Sequence, residues 1–357
     1  MMKTLKNLNR LGGFCKLFCL LAVVGTAGVA QGFAQDGAQK IAELGECRLT
    51  SGQVILDCRV GYRTFGRLSA DGINAVVMPT WLNGRSEDLL SLFGTKAGGS
   101  WLVDTGRFYG VAFDAFGDGV SSSPSNSKRQ AGVGFPLFTT EDMVRAQYRV
   151  LTEVLGVKRV YAAVGLSLGG HQVFAWATLY PKFVERAVPI VGSPQATVFD
   201  LLSKSILIEA IESDPAYNGG RYTVEPPLKL ANAIGTLTTA APDYRNAQVQ
   251  RAKFSDWMVA VEAPQRQDAN DRVWQAKAIL MHDVLHGRSI AEVAKSVPVK
   301  FLVMVAAEDR MVTPQPALDW AKAVGAETYV SAGACAHLIM SCDAKAVSER
   351  VQGFLAR

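Results

Sequence analysis

A serine between two glycines follows an apolar run, and this pattern could supply nucleophilic chemistry. Residues 160–164 are apolar and predict a buried strand, Gly165-Leu-Ser-Leu-Gly169 follows directly, and residues 171–180 have a helical pattern. A tight strand-to-helix turn leaves no room for side chains two residues before and after the serine, which accounts for both glycines. The sequence therefore predicts that Ser167 lies on a nucleophile elbow, with its hydroxyl free to attack a carbonyl carbon.

Such a serine needs a base and a carboxylate, which follow it along the chain in the order acid, then histidine. One strand-like run ends just before Glu308 and Asp309, and a later one ends just before His337. Polar groups just past the C-terminal ends of strands lie where open α/β sheets bind ligands. We predict that His337 deprotonates Ser167 and that Asp309 orients His337. Glu308 is the alternative carboxylate.

Acyl transfer also needs an oxyanion hole, usually made by two backbone N–H groups. One is expected from Leu168, the residue after the nucleophile, and the other from a loop after an earlier strand. We assign the second donor to Leu82, with Trp81 as the neighbouring alternative. The alternative without a catalytic role is that this loop is simply a turn at Asn83-Gly84.

The remaining histidines predict no metal site. His171 directly follows the elbow and is assigned a packing role, with a place in the pocket as the alternative. His282 and His286 are four residues apart, a spacing that could ligate a metal, but no third ligand stands nearby in the sequence. An exposed helical face is the preferred interpretation of that pair. The chain also lacks a Gly-rich nucleotide loop, and we expect no cofactor.

The rest of the chain predicts an α/β fold with a mostly parallel sheet flanked by helices. Residues 35–194 and 295–357 are assigned to this core. Residues 195–294 differ in character, because they are polar, helix-prone and interrupted by prolines and glycines. We interpret them as a helical lid inserted into the core. With 357 residues and 49% hydrophobic content, the chain can bury one large core and carry such an insertion.

The N-terminus has the pattern of a secretory signal peptide, residues 1–34. Four basic residues accompany a short apolar run that passes into small residues, and no acidic residue precedes Asp36. Cleavage is expected after Ala34, with Ala30 as the alternative. The run is too short to span a bilayer, and no cysteine is placed to carry a lipid anchor. We expect an exported protein without a stable membrane anchor, periplasmic if its source is a Gram-negative bacterium.

Charge gives no sign of a polyanionic partner. The whole chain has 37 basic and 32 acidic residues, a formal charge of +5. Removal of the four basic residues before Ala34 leaves 33 basic and 32 acidic residues, about +1. This balance does not favour nucleic acid or an anionic membrane as a partner, so a small-molecule acyl substrate is expected.

Four cysteines remain after cleavage, and export would allow them to form disulfides. A two-residue type II′ turn at Gly52-Gln53 would place Cys47 directly opposite Cys58, within bridging distance. The other pair, Cys335 and Cys342, flanks His337. A disulfide between them would constrain the loop that carries this histidine. The alternative is four buried free thiols.

Several segments together resemble the homoserine O-acetyltransferase-like family of α/β-hydrolases, over roughly residues 54–354. Besides the elbow, the matching segments are Val60-Gly-Tyr-Arg-Thr-Phe-Gly66, Asn74-Ala-Val-Val77, Phe138-Thr-Thr-Glu-Asp-Met-Val-Arg-Ala-Gln147 and Tyr180-Pro-Lys-Phe-Val184. The resemblance implies the α/β-hydrolase fold, a triad of Ser167, Asp309 and His337, and Leu82 in the oxyanion hole. It also implies ping-pong acyl transfer from acyl-CoA through an acyl-serine, and it allows a homodimer formed through the lid.

Three departures from this family point away from homoserine and CoA. Homoserine transacylases typically have an aspartate directly after the catalytic histidine to hold the substrate ammonium, and here that residue is Leu338. Their oxyanion loop usually reads His-Ala-Leu-Thr-Gly, whereas this chain has Thr80-Trp-Leu-Asn-Gly84. An exported protein would not meet cytosolic acyl-CoA. We therefore predict a hydrolase of an ester or related acyl bond. The alternative is an O-acyltransferase, and a non-catalytic binding protein is disfavoured by the complete set of triad residues.

Overall fold

The fold begins with an antiparallel hairpin that leads into a mainly parallel sheet. The computed structural model describes residues 37–95, 99 and 101–357, and the predicted signal peptide lies outside them. Within this part of the chain the strands are β1 (Lys40–Arg48), β2 (Val54–Phe65), β3 (Ala75–Pro79), β4 (Phe93–Gly94), β5 (Val103–Asp104), β6 (Tyr109–Phe113), β7 (Val160–Leu166), β8 (Val184–Ile190), β9 (Lys300–Ala306) and β10 (Glu327–Ser331).

Eight of these described strands form one sheet in the order β1-β2-β6-β3-β7-β8-β9-β10. Strand β2 is antiparallel to β1 and β6, and all other neighbouring pairs in this sheet are parallel. Strands β4 and β5 form a separate short parallel pair. Because parallel strands need crossover connections, helices cover the faces of such a sheet. The predicted α/β class is confirmed.

Helices connect the strands and continue to the C-terminus. In the described part of the chain they are α1 (Thr140–Arg149), α2 (Leu168–Leu179), α3 (Val198–Glu212), α4 (Lys229–Thr239), α5 (Pro242–Gln248), α6 (Phe254–Val261), α7 (Ala269–Leu280), α8 (Ile290–Ala294), α9 (Gln315–Val324), α10 (Ile339–Cys342) and α11 (Ala344–Ala356). No helix among the described residues is long and apolar enough to cross a membrane.

The central strands of the sheet carry apolar side chains on both faces, and both faces are buried under helices. Successive side chains of a strand point to opposite faces. In β9, Phe301 packs into one core cluster with α1, α2 and α9, whereas Leu302 packs into a second cluster with α11. Large aromatic side chains fill the first cluster, where Phe174 and Trp320 meet edge to face at 5.4 Å between ring centroids. Close packing on both faces thereby fixes the position of the sheet from which the loops at its C-terminal edge extend.

The first hairpin corrects one prediction. Cys47 and Cys58 form a disulfide with their Cα atoms 5.6 Å apart, but they do not lie directly opposite each other. Cys47 pairs with Ile55, and Cys58 pairs with Gly45. The turn is also one residue longer than predicted, because the N–H of Leu49 donates to the carbonyl of Gln53 at 2.9 Å. Irregularities on both strands shift the register between these pairs.

Helices α3 to α8 fill the connection between β8 and β9, within the segment predicted as a lid. They differ in burial. Helix α7 is buried over most of its length, and its Trp274 indole donates to the carbonyl of Phe135 at 3.0 Å. Helices α5 and α6 have no buried residues. The insertion therefore consists of a buried helix anchored in the core and more exposed helices beyond it.

Candidate active site

Ser167 lies on the sharp turn between β7 and α2. Its backbone has φ 57° and ψ −122°, a strained conformation that few residues other than glycine adopt. A Cβ at Gly169 would lie 2.5 Å from the carbonyl oxygen of Pro79, and one at Gly165 would collide with the backbone of Gly169. Both predicted glycines are thus required by close backbone contacts. They allow the turn to present the serine hydroxyl above the edge of the sheet.

His337 reaches Ser167 from the loop after β10. It lies in a helical turn, Ala336–Leu338, which the chain enters through a positive φ of 50° at Ala336. The Nε2 atom of His337 is 2.8 Å from Oγ of Ser167, although the two residues are 170 positions apart in the sequence. A disulfide between Cys335 and Cys342, with Cα atoms 6.0 Å apart, encloses this turn.

Asp309 holds the other side of the imidazole ring. Its Oδ2 is 2.8 Å from Nδ1 of His337, and its side chain is only 1% exposed. Its Oδ1 accepts hydrogen bonds from the N–H groups of Met311 at 2.8 Å and Val312 at 3.0 Å. The neighbouring Glu308 is exposed. The structure therefore brings Ser167, His337 and Asp309 together in one hydrogen-bonded chain and leaves the alternative carboxylate outside it.

The order of these contacts fixes the direction in which a proton can move. A carboxylate oxygen can only accept, so Nδ1 of His337 is the atom that donates to Asp309. Nε2 then carries the lone pair that accepts the hydroxyl of Ser167. This arrangement can take a proton from the serine as its oxygen attacks a carbonyl carbon.

The two predicted oxyanion donors lie on the loop after β3 and at the start of α2. Leu82 lines the cavity in a turn closed by the Gly84 N–H and the Trp81 carbonyl at 2.9 Å. Leu168 is buried at the start of α2. Neither the Leu82 N–H nor the Leu168 N–H donates a hydrogen bond to a described residue. A free N–H directly after the serine and another on a loop that lines the same cavity match the chemistry of an oxyanion hole.

Comparisons with known proteins agree with this geometry. The model of the alpha/beta hydrolase fold family matches residues 102–341. A homoserine O-acetyltransferase of Moorella thermoacetica is 31% identical over 308 residues, covering 76% of this chain and 82% of the relative. The chain belongs to the α/β-hydrolase superfamily, in its homoserine O-acetyltransferase-like family.

Other relatives of this α/β-hydrolase carry the names of esterases. An ethyl acetate hydrolase of Pseudomonas veronii is 29% identical over 304 residues, which cover 81% of this chain and 85% of the relative. The solved structure of the acetyl esterase MekB superposes with a TM-score of 0.82 at 27% identity, covering 90% of this chain and 97% of MekB.

The serine of this α/β-hydrolase opens into a cavity of about 890 Å³. The core supplies its floor with Ser167 and His337, and Leu338 lines it beside the histidine. The insertion supplies much of its wall, including Lys204 of α3 and Arg272 of α7. The cavity thus has room for a small ester and carries cationic groups that the sequence did not single out.

Gln275 supports the oxyanion loop and was also missed by sequence reasoning. Its Oε1 accepts the N–H of Asn83 at 2.8 Å, and its Nε2 donates to the carbonyl of Phe116 at 2.9 Å. The N–H of Asn83 is therefore already engaged, whereas the N–H of the preceding Leu82 is free. No local signal could have identified Gln275, because it lies 192 residues from Asn83 on a helix of the insertion.

Two buried histidines stack beneath the serine. His171 of α2 and His282 lie with ring centroids 4.6 Å apart. Ser193 joins them, because its N–H donates to Nδ1 of His171 at 2.9 Å and its carbonyl accepts from Nε2 of His282 at 2.7 Å. Burial lowers the pKa of His171 well below its ordinary value and that of His282 to about 4. Both rings are therefore neutral near pH 7 and serve packing, as predicted for His171.

The predicted exposed face shared by His282 and His286 is wrong. His282 is 2% exposed because it follows the end of α7, where the chain turns into the core. The side chain of His286 is 59% exposed, and its Nε2 lies 2.8 Å from Glu141. Their four-residue spacing lies on a turn and not on a helix, so the two rings face different surroundings.

Proposed function

We propose that this protein is an exported serine esterase that hydrolyses a carboxylic ester through an acyl-Ser167 intermediate. It is a serine acyl-transfer enzyme of a family whose relatives include ester hydrolases and acyltransferases. The observation that carries the proposal is the hydrogen-bonded chain from Ser167 through His337 to Asp309, with 2.8 Å at each step. Its position at the floor of a cavity supports a role in chemistry over a role in packing.

In the proposed acylation, Nε2 of His337 takes the proton of Ser167 as Oγ bonds to the ester carbonyl carbon. The negative charge that develops on the carbonyl oxygen is stabilised by the N–H groups of Leu82 and Leu168. Asp309 stabilises the imidazolium that forms. When the tetrahedral intermediate collapses, the C–O bond to the alcohol breaks and His337 gives its proton to the departing alkoxide.

Deacylation repeats these steps with water as the nucleophile. His337 takes a proton from the water, the hydroxide oxygen bonds to the acyl carbon, and Ser167 leaves with the proton returned from His337. Leu338 lines the cavity beside the histidine, and its apolar side chain offers nothing to hold the ammonium of an amino-alcohol acceptor. This supports water as the acceptor.

The second candidate is an O-acyltransferase that passes the acyl group to an alcohol. It is favoured by the 31% identity to the homoserine O-acetyltransferase of Moorella thermoacetica over 76% of this chain. The chemistry at Ser167 is the same in both candidates, so only the acceptor distinguishes them.

We also propose that residues 195–294 act as a lid and that the protein works outside the cytoplasm. The lid assignment is supported by Lys204, Ala231 and Arg272, which come from three helices of the insertion and line the cavity. Export is supported by the two disulfides, since such bonds persist in oxidising compartments.

Product analysis by mass spectrometry tests the proposed function. The protein without residues 1–34 is incubated with p-nitrophenyl acetate and excess L-homoserine, alongside Ser167→Ala. The exposed serine of α3 provides a matched control, Ser205→Ala. We expect the acetyl group to appear only as free acetate, with p-nitrophenol released alongside it, a loss of at least a thousandfold in Ser167→Ala, and unchanged turnover in the control. Acetylhomoserine as the main product would establish the transferase, and full turnover by Ser167→Ala would refute the triad.

A further inference from the structure

Lys204 is a buried cation in the wall of the cavity. It is 3% exposed, lies on α3 and lines the cavity of Ser167. Its ammonium makes no hydrogen bond or ion pair with any residue in the described ranges. Asp200, one helical turn earlier, accepts hydrogen bonds from Thr197 and Thr313 and forms no ion pair with Lys204. Lys204 thus lines the cavity with the charges of Asp200 and Asp309 nearby, but with no carboxylate at ion-pair distance.

Arg272 is a second buried cation in the same wall. It is 7% exposed and lines the cavity from α7. Its guanidinium donates to the neutral side-chain oxygen of Asn232 at 2.9 Å, and no carboxylate of the described residues lies within ion-pair distance. Lys204 and Arg272 therefore bring two positive charges to the cavity that no ion pair among the described residues neutralises; the charges of Asp200, Asp309 and Glu225 act on them only from beyond ion-pair distance.

The other charged groups of the cavity wall do not offset these two. Asp88 is the carboxylate among the described lining residues, and Arg266 forms an ion pair with it. Taking an ammonium or guanidinium out of water without an ion-pair partner is unfavourable. Burial accordingly lowers the pKa of Lys204 and of Arg272. A ligand that brings a negative charge would offset this cost, whereas a neutral ligand would not.

We infer that the cavity binds esters that carry a free carboxylate, and that Lys204, together with Arg272, holds this carboxylate while Ser167 attacks the ester. The inference rests on the proposed function, because it names the substrate class of the same site. A zwitterionic amino-acid ester fits less well, since Asp88 is already engaged and Leu338 is apolar. The substrate class is therefore a monoester of a dicarboxylic acid or an acyl ester of a hydroxy acid.

Two pairs of esters test this inference, each comparing an anionic ester with a neutral one. The carboxylate lies on the acyl side of the scissile bond in the first pair and on the alcohol side in the second. Monoethyl succinate is compared with diethyl succinate, and 4-acetoxybutanoate with butyl acetate, by kcat/KM near neutral pH. We expect the anionic ester of at least one pair to be preferred at least tenfold. Lys204→Met should reduce that ratio at least tenfold, and Lys204→Arg should retain most of it. Lys253→Met removes an exposed lysine of the insertion, whose side chain is 71% exposed, and should leave the ratio unchanged.

The outcomes separate this inference from the proposed function. Neutral esters hydrolysed as well as their anionic partners, with a ratio that Lys204→Met does not change, would overturn the inference. Ser167-dependent hydrolysis of butyl acetate would still support the esterase. Absence of hydrolysis for all four esters, or its persistence in Ser167→Ala, would contradict the proposed function itself.

A measurement on the wild-type protein covers the case in which Lys204→Met fails to fold, as judged by near-ultraviolet circular dichroism. Butanoate and butanamide are compared as competitive inhibitors of butyl acetate hydrolysis. The inference predicts an inhibition constant at least tenfold lower for butanoate than for the amide. Equal constants would overturn it.

Discussion

The two carboxylate oxygens of Asp309 bind different partners, so a substitution can remove one interaction and keep the other. Oδ2 meets Nδ1 of His337, while Oδ1 accepts the N–H groups of Met311 and Val312. In Asp309→Asn the amide oxygen can still bind the loop, but the amide NH₂ cannot accept from Nδ1. We expect kcat for p-nitrophenyl acetate to fall about 10³- to 10⁴-fold, because the imidazole loses its productive tautomer.

The neighbouring carboxylate provides the control for this prediction. Glu308 is exposed and carries the same charge one residue earlier. Glu308→Gln should therefore leave kcat within about twofold, since exposed groups without a specific contact contribute little. A larger loss in Glu308→Gln than in Asp309→Asn would mean that the acid of the site has been misassigned.

The side chains proposed as catalytic could be predicted from the sequence because each follows a strong local pattern. Ser167 has its flanking glycines, and Asp309 and His337 each follow a strand at the edge where ligands bind. Lys204 and Gln275 have no such pattern. Their environments depend on how helices of the insertion pack against loops far away in the sequence, and helical periodicity gives no information about that packing.

At the elbow the backbone of Gly169 in α2 lies against the backbones of Gly165 in β7 and Pro79 in β3. Replacement of Gly169 by alanine should therefore disturb the elbow. In Gly169→Ala the new Cβ would lie 2.5 Å from the carbonyl oxygen of Pro79, a backbone atom that cannot move independently. We expect the free energy of unfolding to fall by about 2 kcal/mol or more. The kcat should fall as well, because β3 leads into the loop that carries Leu82. Urea unfolding and ester hydrolysis measure the two effects.

A glycine in another helix provides the control, because its replacement by alanine shows the effect of the substitution where no close backbone contact exists. Gly353 lies in α11, and a Cβ there would have no atom within 4 Å. Gly353→Ala should raise the free energy of unfolding by about 0.5–1 kcal/mol, the usual gain from helix propensity. If Gly169→Ala were equally harmless, the close approach of α2 and β3 would not constrain the elbow.

The hairpin shows why element pairs are easier to predict than their register. The sequence predicted both strands and the Cys47–Cys58 pairing from a simple two-residue turn. The strands instead carry irregularities around Gly45 and between Cys58 and Ile55, where Asp57 has a positive φ of 54°. Extra residues on both strands move the two cysteines out of direct opposition while keeping them within bridging distance. A pattern of alternating residues cannot locate such bulges.

The core and the insertion meet at the stacked histidines, and this contact should make the stability of the protein depend on pH. Ser193 follows β8, His171 belongs to α2, and His282 follows α7 within the insertion. Thr140 of α1 completes the contact, with its Oγ1 2.7 Å from Nδ1 of His282. Because burial lowers the pKa of both histidines, each ring must stay neutral for the two parts to remain packed.

The sign of the effect follows from where protons bind. Below about pH 6.5 the unfolded chain protonates His282, while the folded protein resists protonation down to a pKa of about 4. Stability is therefore fully present above pH 6.5 and is lost as the pH falls towards 4. The loss from His282 alone is on the order of 3 kcal/mol. We expect urea unfolding of the wild type to show this loss. His282→Gln should be less stable at pH 7.5 but should lose less on acidification. Parallel pH curves for the two proteins would mean that the stacked pair does not link the core to the insertion in this way.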